Sequence, residues 1–485
     1  IDAETCNWCE GLTAYMADHL FAEQRGEGAT YRRATLKKFS DLVKDGNDFP
    51  LADFGSRQSA ASEAVGYGKS LMLFHMLRRA LGDKAFIAGL GRFDLDNRFS
   101  RASFADIAQA LNDEVGGDWQ PFVDEWVRRP GAPSLEIIDV DLTEDPDAEL
   151  PWRVKVRIRQ TQGGKPFPLT VPVAVTVEGR TEPIWSEAGT CGSHDCVIEV
   201  LSPARPLRLD VDPAFDVMRR LDPLEVPPAL TTLFGADEQV FILPAHATEA
   251  ERAAWRELAT AWAEPGEPRI VLDEDLEKLP DGSVWVLGWS NSFGREVGRR
   301  CSDQGASLNE ASVTLPADEM PRADHSLVLV ARADSDPADA LGWVAAEPVE
   351  AIPGLARKLP HYTRYSYLGF KGSEPENVAK GMWRPLGSPL VRKLADGELV
   401  ELRLPVRQPL ADLPAVFDAD RLAATVTHLS QPSMEGRGLG SAGLENATRW
   451  FEERLTEAGV SPAGVTEYRQ SWSWRGGEPE RPMTL

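Results

Sequence analysis

The chain has no apolar run near the roughly 18 residues needed to cross a bilayer, so no membrane span is expected. It also lacks a basic excess: 52 Lys and Arg stand against 76 Asp and Glu, a net charge of −24. That balance sets aside nucleic acid and anionic membrane surfaces as main partners. The acidic excess is spread along the chain and reads as a solubility feature. Cysteine is scarce, five in 485 residues, too few for a disulfide framework. Cys6 and Cys9 have C-x-x-C spacing, yet no second pair of matching spacing follows to complete a structural zinc site. A phosphate loop is missing too, because Gly288-Trp289-Ser290-Asn291-Ser292-Phe293-Gly294 has neither the Walker lysine nor G-x-G-x-x-G spacing. There are no internal repeats, no low-complexity tract and no basic leader before an apolar core. The first residue is Ile1, already inside a patterned segment, and Arg481 to Leu485 read like the approach to another strand. An excerpt of a longer protein, open at both ends, is expected.

What is present suggests a multidomain α/β protein of roughly three domains or more. Residues 1–133 carry helical periodicity, strongest from Glu63 to Leu81, where Leu71, Phe74, Met76, Leu77 and Leu81 supply one apolar side before Gly82. From 134 to 225 the period changes to two: Trp152, Val154, Val156 and Ile158 alternate with Arg153, Lys155, Arg157 and Arg159. Short strands of this kind predict an antiparallel β-sandwich. Residues 226–404 alternate strand and helix patterns, which predicts an α/β open-sheet connector domain with a mostly parallel sheet. After a linker around Pro405–Pro414, residues 405–485 carry two helices, with Leu444, Ala447, Phe451 and Leu455 on one face of the second. Cys191 and Cys196 flank a turn that a local disulfide could close, and such a bridge would point to a periplasmic or secreted protein.

Two places could carry chemistry. In Asn7-Trp8-Cys9-Glu10-Gly11-Leu12-Thr13-Ala14-Tyr15, Glu10 opens a helix whose buried face is Leu12, Tyr15, Met16 and Leu20. On local sequence it is either a dipole-favoured first-turn acid or a metal ligand. In Val65-Gly66-Tyr67-Gly68-Lys69-Ser70, Tyr67 is either an aromatic anchor or a hydroxyl donor. The two segments, with Glu10 and Tyr67 57 positions apart, resemble the gluzincin zinc aminopeptidases of the aminopeptidase N group. The likeness continues through Phe74–Arg78, Leu81–Phe86 and Phe122–Trp126 to Gly131-Ala132-Pro133. It implies that Glu10 is the last protein ligand of one zinc ion, and that Tyr67 donates to the oxyanion of a tetrahedral intermediate. Cys9 stands where that family often has Asn. The family's H-E-x-x-H, with two His ligands and the general-base Glu, is absent and is expected just upstream of Ile1. His19 and His75 lie on apolar helix faces and read as core or surface histidines.

The run Ser433 to Gly443 and the helix after it resemble the start of co-catalytic di-zinc aminopeptidases, whose two metal ions would be bound beyond Leu485. Glu435 and Arg437 are then a turn with its own ion pair. The resemblances imply a piece of a zinc metallopeptidase acting on peptide or protein substrates, inactive by itself without H-E-x-x-H. The alternative is a non-catalytic scaffold or peptide-binding module derived from a peptidase.

Overall fold

The computed structural model describes residues 7–44, 46–186, 190–263, 266–309, 311–316, 319–412, 417–464, 466–472 and 483–484. The chain divides into two units, Ile1–Leu410 and Ala411–Leu485. Its architecture is mixed α/β with several sheets.

In the first unit, helix α1 (Trp8–Ala14) runs on through a π-helical turn (Tyr15–His19) into Leu20–Gln24. Helix α2 spans Gly28–Leu42. The next helix starts at Ala60 rather than Glu63, because the Ser59 hydroxyl accepts from the Ser62 N–H and caps it. A second π-helical turn (Ala64–Lys69) leads into α3 (Ser70–Leu81), which Gly82 ends at φ +80°. Helices α4 (Asp83–Asn97), α5 (Phe104–Val115) and α6 (Gln120–Arg128) follow. Leu71, Phe74 and Leu77 of α3 are buried with Ile107, Leu111, Val123 and Trp126, while Met76 and Leu81 pack on the rim of that cluster.

The same core continues into the β region. Strands β1 (Leu135–Glu144), β2 (Trp152–Gln160), β3 (Val173–Val177), β4 (Asp195–Ser202) and β5 (Pro206–Val211) form two antiparallel sheets. One has the order β1-β2-β4, and the other places β3 between β5 and Ile184–Trp185. Val154, Val156 and Ile158 of β2 join Val173, Val175 and Leu209 in the core. The intervening residues point outward, where Arg157 meets Asp139, and Arg159 pairs with Asp195 across the strands at 2.6 Å. Val391–Lys393, which the sequence pattern groups with the α/β segment, pairs with β5.

The α/β part contains β6 (Gln239–Leu243), α7 (Glu249–Ala263), β7 (Arg269–Leu272), β8 (Ser283–Leu287), β9 (His325–Arg332), β10 (Ala340–Ala345), α8 (Ile352–Lys358), β11 (Tyr367–Lys371) and β12 (Glu376–Gly381). The sheet order is β7-β6-β8-β10-β9-β11-β12. It is not mostly parallel: β7-β6, β6-β8 and β8-β10 pair parallel, but β10-β9, β9-β11 and β11-β12 pair antiparallel. The connections from β9 to β10 and from β11 to β12 are short hairpin loops, and a parallel pairing needs a crossover of a dozen residues or more. Both faces of the sheet are covered, which explains the unbroken apolar runs. Phe241, Leu243, Trp285 and Leu287 face α7 and α8, while Val240, Ile242, Val284 and Val286 face Phe293, Val297 and Cys301.

In the second unit, Asp418 caps α9 (Ala419–Leu429) and Ser441 caps α10 (Ala442–Glu457). Ala447 is buried, but Phe451 and Leu455 are 49% and 37% exposed, so only part of the expected apolar face is covered. The Glu435–Arg437 ion pair does not form. Both residues take positive φ, Glu435 accepts from the Gly443 N–H at 3.0 Å and Arg437 donates to the Leu429 carbonyl. Each charge thus meets a backbone group at a helix end.

Candidate active site

Glu10 is positioned by residues on either side of it. Upstream, Asn7 takes a left-handed conformation and donates to the Gly55 carbonyl, while the Trp8 indole N–H donates to Ala102 at 2.7 Å. The Trp8 ring packs edge-on against Phe93. Downstream, Gly11 faces Ser70 so closely that a Cβ there would lie 2.0 Å from the Ser70 Oγ. A glycine is needed for α1 and α3 to approach this far. Gly66 makes the matching close contact with the Phe54 ring, where a Cβ would meet ring carbons at 2.2 Å. These contacts bring Tyr67, in the π-helical turn, to Glu10.

The half-buried Tyr67 hydroxyl donates to the Glu10 carboxylate. That hydrogen bond, then burial and the Glu10 charge, push the phenol up to about 12. Tyr67 therefore holds its proton throughout the neutral range and is a permanent donor. It also borders a cavity of about 910 Å³ between the α1–α2 helices and the segment around His361–Arg364. Its neighbour Lys69 has another role. Buried, it donates to the carbonyls of Arg129 and Gly131 at 2.5 and 3.0 Å, and burial pushes it down to about 8. It ties α3 to the end of the helical region.

One step deeper, the same helices enclose a polar cluster. His19, Glu23 and His75 bring ligand-type atoms within 4.8 Å of one another. The donor set does not fit a metal ion. Arg32 can only donate, so the His19 Nε2 at 2.8 Å is its acceptor. Arg78 donates to the Tyr15 hydroxyl at 3.2 Å, which leaves the tyrosine proton for His75 Nδ1 at 3.1 Å. His75 Nε2 then donates to Asp216 at 2.9 Å, and Arg407 donates to both oxygens of Asp216 at 2.6 Å. Glu23 accepts from Arg78 at 2.7 Å. The imidazole lone pairs a cation would use are occupied, and three guanidiniums would face it. Burial first, then the charge of Arg32, pushes His19 down to about 2 and His75 to about 3. Hydrogen bonds from His75 and Arg407 outweigh burial and hold Asp216 well below the usual carboxylate range. No sequence pattern points to Asp216 or Arg407, and Arg407 lies in a stretch with the composition of a linker.

Among the described residues Glu10 joins no group of three potential ligands, so those residues alone make no metal centre around it. The other sequence motifs resolve plainly. The loop at Gly288–Gly294 meets a carboxylate of its own chain, with the buried Asp273 accepting from the Ser292 and Ala245 N–H groups at 2.8 Å. Cys191 and Cys196 form the local disulfide. Cys6 lies outside the described residues. Cys9 is half-buried and donates to Asn7, and Cys301 is buried and free.

No family model matches the chain. Over 78 residues it is 38% identical to aminopeptidase N of Lactococcus lactis subsp. lactis, covering 16% of this chain and 9% of that protein. Over 73 residues it is 26% identical to probable aminopeptidase 1 of Sulfurisphaera tokodaii, covering 15% and 9%. The crystal structure of Legionella pneumophila aminopeptidase A in complex with aspartic acid aligns with 48% of this chain and 25% of that one, at 17% identity and a TM-score of 0.31. The chain thus spans about 9% of the length of the curated relatives it matches. Its similarity is to aminopeptidases.

Proposed function

We propose that the chain is part of a zinc aminopeptidase that hydrolyses peptide bonds, with Glu10 as a zinc ligand and Tyr67 as the oxyanion donor. The observation that carries this reading is the hydrogen bond from Tyr67 to Glu10, made across 57 positions of sequence at the wall of a large cavity. The bound zinc would polarise the scissile carbonyl and activate water. Glu10 would offset part of the ion's charge. Tyr67, whose proton is held to about pH 12, would turn its hydroxyl from Glu10 to the developing oxyanion. The two histidines and the general base would come from an H-E-x-x-H segment preceding Ile1, so residues 1–485 by themselves would hydrolyse nothing.

In this reading residues 1–133 complete the catalytic domain, 134–225 form a sandwich, 226–404 a connector and 405–485 the start of a di-zinc peptidase domain. The Cys191–Cys196 disulfide supports a periplasmic or secreted location. The test is the coding sequence upstream of Ile1, where H-E-x-x-H is expected within about 40 residues. In a chain extended to include it, Glu10→Ala should reduce bound zinc, and unchanged stoichiometry would remove Glu10 from the ligand set. If the motif is absent, the cavity remains as a peptide-binding surface without catalysis.

A further inference from the structure

Most charges lining the cavity beside Tyr67 are neutralised by their neighbours. Arg25 pairs with Glu27 at 3.1 Å, Lys37 with Asp41 at 2.5 Å and Lys38 with Glu63 at 2.6 Å. Two guanidiniums are different. Arg33, on α2, is half-buried and lies 5.9 Å from the centre of the Phe215 ring. Burial lowers its pKa and no carboxylate raises it. Arg364, from the loop before β11, donates to the Tyr365 hydroxyl at 2.7 Å and lies over that ring at 4.8 Å. Neither Arg33 nor Arg364 meets a carboxylate among the described residues. Against them stands one lining acid unpaired among the described residues, Asp18, so the cavity keeps a cationic excess inside a chain of net charge −24. A guanidinium half-removed from water without a counter-charge is unfavourable unless an anion visits it.

We propose that Arg33 and Arg364 form a carboxylate-binding subsite in this cavity, selecting peptides that present an acidic side chain or a free C-terminal carboxylate beyond the bond held at Tyr67. The inference rests on the peptidase reading, since it assigns the cavity to the peptide substrate. At about 910 Å³ the cavity is at the upper end of the roughly 300–1,000 Å³ range of ligand pockets. That leaves room for peptide between the tyrosine and the guanidiniums. The planar fork of an arginine matches a carboxylate, and its charge is present at every physiological pH.

Titration calorimetry on residues 1–485 tests this with three probes: Ala-Ala-Ala-Ala amide, Ala-Ala-Ala-Ala with a free C-terminus, and Ala-Ala-Ala-Glu amide. At least one carboxylate probe should bind about tenfold more tightly than the neutral amide, and added salt should shrink the difference. Which probe gains tells a terminal from a side-chain carboxylate. Arg33→Gln should abolish the gain. Arg364→Gln, at an exposed position, should reduce it without disturbing the fold. Equal binding of all three probes would overturn the subsite while leaving a peptide-binding cavity in place. Failure of every probe, the neutral amide included, would overturn the peptide-cavity assignment itself.

Discussion

Two polar clusters are built from the same pair of helices, and they behave as opposites. The helix that begins with α1 supplies Glu10 to one and His19 to the other; the helix that becomes α3 supplies Tyr67 and then His75. Glu10 and Tyr67 are half-buried and share one hydrogen bond, and Tyr67 borders open space. His19 and His75 are sealed, with 0% and 1% exposure, among Arg32, Arg78, Arg407, Glu23 and Asp216. The sealed cluster has the stronger pKa shifts and the metal-like geometry. Its hydrogen-bonding capacity is nevertheless almost consumed, His19 Nδ1 being the atom of the two rings left without a partner. A perturbed pKa therefore marks a site only where the group retains a free proton or lone pair and a route to solvent.

The largest effect should come from breaking the sealed side. Asp216→Ala strands Arg32 and Arg407 and should cost about 3–5 kcal/mol in urea unfolding. A loss under about 1 kcal/mol would mean the cluster is not structural. On the open side, Tyr67→Phe in a chain extended to include H-E-x-x-H should lower kcat by about 100-fold with KM little changed. The same substitution should move stability by less than about 1 kcal/mol, so that the two clusters exchange roles between the two assays.

A third measurement uses pH. An unfolded histidine takes up a proton below its ordinary value of 6.5, whereas folded His75 resists protonation down to about 3. Between those values the unfolded state binds more protons, so stability falls as pH falls. His75 should contribute a slope of about 1.4 kcal/mol per pH unit there. His75→Gln should remove that contribution, and an unchanged slope would mean the ring is charged in the folded protein. The smallest effect is expected from zinc. A tenfold excess added to residues 1–485 should raise unfolding stability by less than about 0.5 kcal/mol, whereas a rise of several kcal/mol would reassign the sealed cluster to metal binding.

Helices and strands are readable in the sequence wherever one periodicity governs the segment. The apolar side of α3 and the alternation of β2 follow from it, as do the buried runs of β6 and β8. The sheet's mixed direction is hidden because strand runs carry no sign of parallel or antiparallel partners; only loop length does. The π-helical turns are invisible, since one extra residue in a turn leaves the composition unchanged. Glu10 and Tyr67 each have an ordinary local reading, and only the resemblance joins them. Gly11, Gly66 and Ser70 hold the local signal for their approach, as small residues at a helix crossing. Asp216 and Arg407 cannot be read, because their partners lie 141 and 191 positions away. Arg33 and Arg364 share a cavity only after the α2 helix and the α/β part are folded together.

The π-helical turn at Ala64–Lys69 has a consequence for how this helix can evolve. A residue advances about 100° around an α-helix, so an inserted residue rotates the upstream half of the helix against the downstream half. The turn thus acts as a phase joint: Tyr67 takes its bearing from one side, and the core face of Ser70–Leu81 keeps its own. Deleting Gly68, which lies between Tyr67 and α3, would let the segment relax to plain α-helix with α3 still packed. The hydroxyl would swing away from Glu10, and a single lost codon would silence the donor without unfolding the protein.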